Sequence, residues 1–305
     1  MAESIRIVPN YAAQKRNWRT TRTDIFPHRT QRRQVQRVAT KVDLYNGAYG
    51  NYEAETYRQV RIETYGDDLG QTSWVTTEES NQIPQILKIA QHSSIFELGC
   101  GSGRYALQLA EKYACRVLGV DINESGVRTA RRIAEAAQLS SKCRFEQCDA
   151  SKPLPYADGD FDAAFSNDVL CHIPSRPHIL AELLRVLRPG GRFIFSDALV
   201  INDVISNHEI AIRSSIGNYV FVPTGLNEKL IEQTGFRLVQ ADDTTASASL
   251  IAKRWHDARK SRREALIAFE GETNFEGLQQ FLACVHTLTA ERRLLRMLYT
   301  AQKPQ

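Results

Sequence analysis

The sequence predicts an α/β protein built on a doubly wound, mostly parallel sheet. Three observations carry that prediction. Short apolar runs alternate with helical stretches from about residue 94 to residue 240. The first run, Ile95, Phe96 and Leu98, passes straight into Gly99, Gly101 and Gly103, and a helical stretch from Tyr105 to Tyr113 follows at once. Pro189, Gly190 and Gly191 stop a helix and turn the chain into another apolar run, Phe193 to Phe195. Strand, glycine turn and helix in that order offer backbone amides to a nucleoside-type ligand. Glycine is needed because the chain turns sharply where the ligand must approach without a Cβ in the way.

The remaining elements follow in order. Arg116 to Val120 is a second strand ending in Asp121. A carboxylate there can accept both hydroxyls of a ribose, in charge-assisted bonds of about 1.5–3 kcal/mol each, or can cap the helix that starts at Glu124. Cys143 to Glu146 is a third strand leading to Asp149 and Ala150. Phe161 to Ser166 is the fourth, followed by Asn167, Asp168 and His172. Ile179, Leu180, Leu183, Leu184 and Leu187 recur at helical spacing over Pro177 to Leu187. After the fifth strand, Leu199 to Pro223 reads as an insertion with a helix at His208 to Arg213. Asn227 to Thr234 is a helix stopped by Gly235, and a sixth strand covers about Phe236 to Gln240. Leu250 to Phe269 and Gly277 to Leu288 are helical, and Leu294 to Ala301 is the last strand.

The glycine spacing narrows the ligand. A dinucleotide fingerprint, G-x-G-x-x-G, requires glycine at position 104, which is Arg104 here. The pattern is G-x-G-x-G with Glu97 at the strand end, and with the elements above it resembles motif I of the class I S-adenosylmethionine-dependent methyltransferases. The resemblance is tight over about residues 90–200 and loose elsewhere, with a flavour of the sarcosine-type and natural-product enzymes. It implies a seven-stranded, Rossmann-like methyltransferase fold with the last strand antiparallel between strands five and six. It also implies S-adenosyl-L-methionine as cofactor, S-adenosyl-L-homocysteine as product, and Glu97, Gly99, Gly101, Gly103, Asp121, Ile122, Asp149, Ala150, Asn167 and Gln71 as cofactor-binding residues. Asp149 would accept from the adenine amino group; otherwise it is a solvated loop residue. The expected organisation is a basic arm (1–41), a lid (42–92) and a core (93–305) whose helical cap comes from insertions at about 199–225 and 250–288. The long helical pair before the last strand departs from the minimal fold.

The lid carries Tyr45, Tyr49, Tyr52, Tyr57, Tyr65 and Trp74. A sulfonium over a ring face gains about 0.5–2 kcal/mol, although most such rings simply pack. Tyr49, Trp74, Asp168 and Arg213 are taken as candidate substrate contacts. Methyl transfer is an in-line displacement in which an oxygen, nitrogen or carbon nucleophile must also lose a proton. His172, just past strand four, is the first candidate base, with packing against the Pro174 turn the other reading. His208 beside Glu209 is the second, on what is otherwise a solvated helix face. Arg213 suits a substrate carboxylate, or an ion pair with Glu209 one turn away.

A chain of 305 residues with 42% apolar content suits one enlarged domain. No apolar run reaches the roughly 18 residues of a membrane span, and no hydrophobic signal follows Met1. Cys100, Cys115, Cys143, Cys148, Cys171 and Cys284 form no C-x-x-C pair, which favours free thiols in a cytoplasmic protein and gives no metal site. Residues 1–41 hold ten Lys or Arg against Glu3 and Asp24. That arm reads first as a solvated or domain-packing segment, and otherwise suits nucleic acid, an anionic substrate, an acidic face of its own domain or a transit peptide. Nucleic acid is disfavoured because stacking aromatics are not interleaved with the charges. The expected protein is therefore a methyltransferase of a small-molecule metabolite, monomeric or homodimeric. The alternatives are a nucleic-acid-directed methyltransferase using the basic arm, or an NAD-linked oxidoreductase, which Arg104 argues against.

Overall fold

A computed structural model describes residues 41–305. The expected basic arm, Lys41 excepted, lies outside the described residues. Three helices come first: α1 (Tyr45–Gly50), α2 (Glu55–Tyr65) and α3 (Thr77–Ile86). The sheet then begins with β1 (Ser94–Leu98), α4 (Arg104–Tyr113), β2 (Arg116–Asp121), α5 (Glu124–Ala136), β3 (Cys143–Gln147) and β4 (Phe161–Ser166). A single turn of 3-10 helix, Leu170–His172, precedes α6 (Arg176–Val186) and the long β5 (Leu187–Ile201). There follow α7 (Asn207–Arg213), β6 (Val222–Pro223), α8 (Leu226–Thr234), β7 (Arg237–Asp243), α9 (Thr245–Lys260), α10 (Arg263–Glu270), α11 (Glu272–Ala290) and β8 (Leu294–Gln302).

The sheet order is β3-β2-β1-β4-β5-β8-β7. β8 lies antiparallel between β5 and β7, and the pairings from β3 through β5 are parallel. The expected seven strands gain an eighth. β5 runs on past a bulge at Asp197 to Ile201, and β6 pairs parallel with that extension. The order reverses at β1, whose neighbours β2 and β4 lead off in opposite directions, so the crevice for a ligand opens beyond the carboxyl end of β1.

The central strands are buried on both faces, which is why they read as continuous apolar runs rather than alternations. Ile95, Phe165 and Ile194 pack on one face against Ile83, Leu107, Ala110, Val127 and Ala130 of α3, α4 and α5. Phe96, Ala164, Phe193 and Phe195 pack on the other against Ile179, Leu180, Leu183 and Ile231 of α6 and α8. A third cluster joins α2, α9 and α11 through Tyr57, Val60, Tyr65, Trp255, Phe275 and Phe281. The helix expected over Leu250 to Phe269 is divided. α9 ends at Lys260, Ser261 donates its hydroxyl to the Ala258 carbonyl, and α10 restarts at Arg263. No helix among the described residues is long and apolar enough to cross a membrane.

Candidate active site

A cavity of about 480 Å³ opens at the carboxyl end of β1, roofed by α1 and the 69–73 loop. Its floor is the glycine turn. Gly99 has φ +81° and Gly101 φ +51°, and a Cβ at Gly99 would stand 2.1 Å from Val169. A Cβ at Gly101 would stand 2.7 Å from the Tyr49 hydroxyl. Gly103 serves differently from expectation: it is the left-handed residue that starts α4, and a Cβ there would strike Phe145 and Ala130. It is a packing glycine outside the cavity lining.

Asp121 borders the cavity beside Ile122 and Asn123. Its Oδ2 accepts from the Gly101 amide and its Oδ1 from the Asn123 amide, both at 2.8 Å. Asn123, not Asp121, caps α5, accepting from the Gly126 amide at 2.9 Å. Each Asp121 oxygen so keeps a lone pair for a further donor such as a ribose hydroxyl. Burial pushes the Asp121 carboxyl above its usual range, partly offset by those amides.

Three polar atoms in this lining have no partner among the described residues: Gln71 Nε2, Glu97 Oε2 and Asn167 Oδ1. Buried polar groups are normally paired, so a donor and two acceptors left open in one cavity describe the ligand that completes them. The set fits the amino-acid end of S-adenosylmethionine: an ammonium for the acceptors and a carboxylate for the amide donor. Burial first, and the Asp121 charge second, hold the Glu97 carboxyl well above its usual range. A cation at that place would reverse the shift.

The opposite wall holds a histidine dyad. The His172 Nδ1 lies 3.1 Å from the Asn218 carbonyl, which only accepts, so this nitrogen bears the proton. Nε2 therefore accepts, and Tyr45 donates its hydroxyl to it at 2.9 Å. Tyr219 stacks on the imidazole with centroids 4.4 Å apart. Burial pushes His172 down to about 4, so the ring is neutral near pH 7. Tyr45, Asn123 and Tyr219 were missed as site residues. The i, i+4 spacing of Tyr45 and Tyr49 placed both on one helix face, a signal too weak to single them out.

Several expected contacts lie elsewhere. Trp74 is buried against Trp255 and Phe281 and belongs to the core rather than to a substrate surface. Asp168 borders the cavity, but its carboxylate is engaged by Arg296 Nε at 2.9 Å, the Ser196 hydroxyl at 2.9 Å and the Trp74 amide at 2.8 Å, which makes it a structural pin. His208 is exposed on α7, outside the cavity. Glu209 caps α7 with Ser206 and pairs with Arg293 at 2.7 Å, so it is not the partner of Arg213. Arg213 stands behind the cavity wall, not in it. Asp149 also lies outside the lining, accepting from the Ser151 amide and hydroxyl. Ala150 packs with Phe96 and Leu98. Contact of either residue with adenine rests on the resemblance alone. Tyr49, Gln71, Glu97, Gly99, Gly101, Asp121, Ile122, Asn167 and His172 all line one space.

A family model described as a methyltransferase domain matches residues 96–195, from β1 through the glycine turn to β5. The chain is an S-adenosylmethionine-dependent methyltransferase. This methyltransferase is 28% identical over 248 residues to 27-O-demethylrifamycin SV methyltransferase of Amycolatopsis mediterranei, covering 79% of this chain and 88% of that one. It is 32% identical over 148 residues to the sarcosine/dimethylglycine N-methyltransferase of Halorhodospira halochloris, covering 47% of this chain and 52% of that one. In fold the methyltransferase is similar to phosphoethanolamine N-methyltransferase 2 of Haemonchus contortus, solved with S-adenosyl-L-methionine. That likeness has a TM-score of 0.69 at 18% identity, over 85% of this chain and 60% of that one.

Proposed function

We propose that the enzyme methylates an oxygen, nitrogen or carbon of a small metabolite, with Tyr45 and His172 managing the proton. The observation that carries this reading is the Tyr45–His172 pair on the wall of the same cavity whose floor is the glycine turn and Asp121. The cofactor supplies a methyl group on a positive sulfur, already activated for displacement. Glu97, Asn167 and Gln71 would hold its amino-acid end, and Asp121 its ribose. The residues then act mainly by placement, which accounts for about 7–11 kcal/mol of barrier lowering in well-oriented reactions. His172 is neutral at physiological pH and its Nε2 lone pair accepts from Tyr45, so it can take up a proton, while burial makes the ring a weaker base than a free imidazole. A substrate hydroxyl or amine either replaces Tyr45 at Nε2 or passes its proton through the Tyr45 oxygen to the imidazole. Tyr49 closes the roof by a 2.8 Å bond to the Thr72 hydroxyl.

The relatives' names include a demethylrifamycin, a sterol and sarcosine or dimethylglycine as the molecule methylated, which supports a small organic acceptor without choosing one. All six cysteines are free thiols, which supports a reducing, cytoplasmic setting. Calorimetry with S-adenosylhomocysteine tests the cofactor reading; tight nicotinamide binding in its place overturns it. Transfer of labelled methyl into a panel of hydroxylated and amino acceptors then tests the proton role. His172→Ala is expected to lower turnover about 10²-fold or more while S-adenosylhomocysteine affinity is kept. Near-normal turnover in that variant removes His172 as the base.

A further inference from the structure

Five arginines are buried among the described residues: Arg61, Arg176, Arg213, Arg259 and Arg296. Four of them hold a carboxylate. Arg61 pairs with Asp68, Arg176 with Asp197, Arg259 with Glu270, and Arg296 with Asp168 and Glu79. Arg213 holds none, and its Nε and Nη1 have no hydrogen-bond partner among the described residues. It is also the most enclosed but one, at 1% exposure. Its guanidinium lies 4.6 Å from the Tyr219 ring, 5.0 Å from Phe281 and 5.7 Å from Trp74. Those faces attract a cation but leave two N–H-bearing nitrogens unanswered. A buried charge without a counter-charge is costly enough that the fold supplies one in the other four cases.

The position of Arg213 connects it to the substrate end of the cavity. Ile216, Gly217 and Asn218, just beyond it in the chain, are cavity-lining residues. The Tyr219 ring touches both the guanidinium and the His172 imidazole. The Arg213 charge also helps hold His172 unprotonated, as does burial to a larger extent. Gly217 and Asn218 are exposed and Tyr219 half-buried, so this wall is the open side of the site.

We propose that Arg213, enclosed behind the cavity wall and without a carboxylate partner, receives a carboxylate of the substrate when the Tyr219 ring moves off its guanidinium, while the atom to be methylated faces Tyr45 and His172. This rests on the methyltransferase reading and narrows it to acidic acceptors. A planar guanidinium matches a carboxylate fork in a way an ammonium does not.

The test uses the full chain saturated with S-adenosylhomocysteine, titrated by calorimetry with benzoate and with the neutral isostere benzamide. Benzoate is expected to bind about tenfold or more tightly than benzamide. Arg213→Met should erase that preference and leave S-adenosylhomocysteine affinity unchanged, and Arg213→Lys should restore part of it. Equal binding of the two probes, binding of neither, or a preference that survives Arg213→Met overturns the proposal. Should Arg213→Met fail to fold, the wild-type comparison and Arg213→Lys decide. Failure to bind S-adenosylhomocysteine at all would instead sink the cofactor reading, so the two failures are distinguishable.

Discussion

At the scale of single residues, Glu97 shows how a site is prepared at the expense of the empty protein. It is 5% exposed, is the penultimate residue of β1 at the cavity, and leaves Oε2 without a donor. A buried carboxyl in that state disfavours its own ionised form and the fold that contains it. Glu97→Gln should therefore leave the melting temperature of the ligand-free protein unchanged or higher. It should weaken S-adenosylhomocysteine binding about tenfold or more, because the amide cannot pair with an ammonium as a carboxylate does. Calorimetry and thermal melts on the same sample check both halves. A large loss of stability without loss of affinity would make Glu97 a structural residue.

At the scale of elements, α3 and the loop before it are tied to the sheet through one arginine. Arg296 of β8 reaches Asp168 after β4, Glu79 of α3 and the Thr244 hydroxyl, and Asp168 in turn accepts from the Trp74 amide of the loop that enters α3. Asp168 has φ +58°, a backbone state that asparagine and aspartate tolerate better than most residues. Removing one partner strands buried charges, so Arg296→Met should cost about 3–5 kcal/mol in denaturant unfolding. A loss below about 1 kcal/mol would show that α3 and its entry loop are held by packing alone. The capped start of α7, by contrast, is an exposed local device that holds the helix carrying Arg213.

At the scale of the whole molecule, acid should destabilise the fold through His172. Its pKa falls from 6.5 to about 4 on folding, so the unfolded chain binds more protons between those values. Stability contributed by the neutral ring is complete above about pH 6.5 and is lost as pH falls through about 4. The size of the shift corresponds to about 3 kcal/mol. Glu97 and Asp121 are shifted upward and act in the opposite sense, favouring the folded form as acid is added. The comparison with His172→Gln isolates the imidazole: between pH 7 and pH 4 the wild type should lose about 3 kcal/mol more than the variant. Parallel stability curves would contradict a ring held neutral by the fold.

The sequence by itself determined the order of strands and helices, the cofactor class and the floor of its site. Those features are local: a glycine spacing, an apolar run and a carboxylate at a strand end are set by backbone geometry within a few residues. Ile122 and Gln71 fell in the cavity for the same reason, as neighbours of Asp121 and of the lid loop. Only the tertiary structure decided the partners of long polar side chains. Asp168 and Arg296 are 128 residues apart and Tyr45 and His172 are 127 apart, distances over which no periodicity speaks. Arg213 is the clearest case. Its helical spacing suggested Glu209 as a partner, but burial turned the side chain among aromatic rings while Glu209 went to Arg293. What stands within hydrogen-bond reach of a buried charge is decided by the packing of distant elements, and that packing separates a surface ion pair from an enclosed guanidinium without a carboxylate.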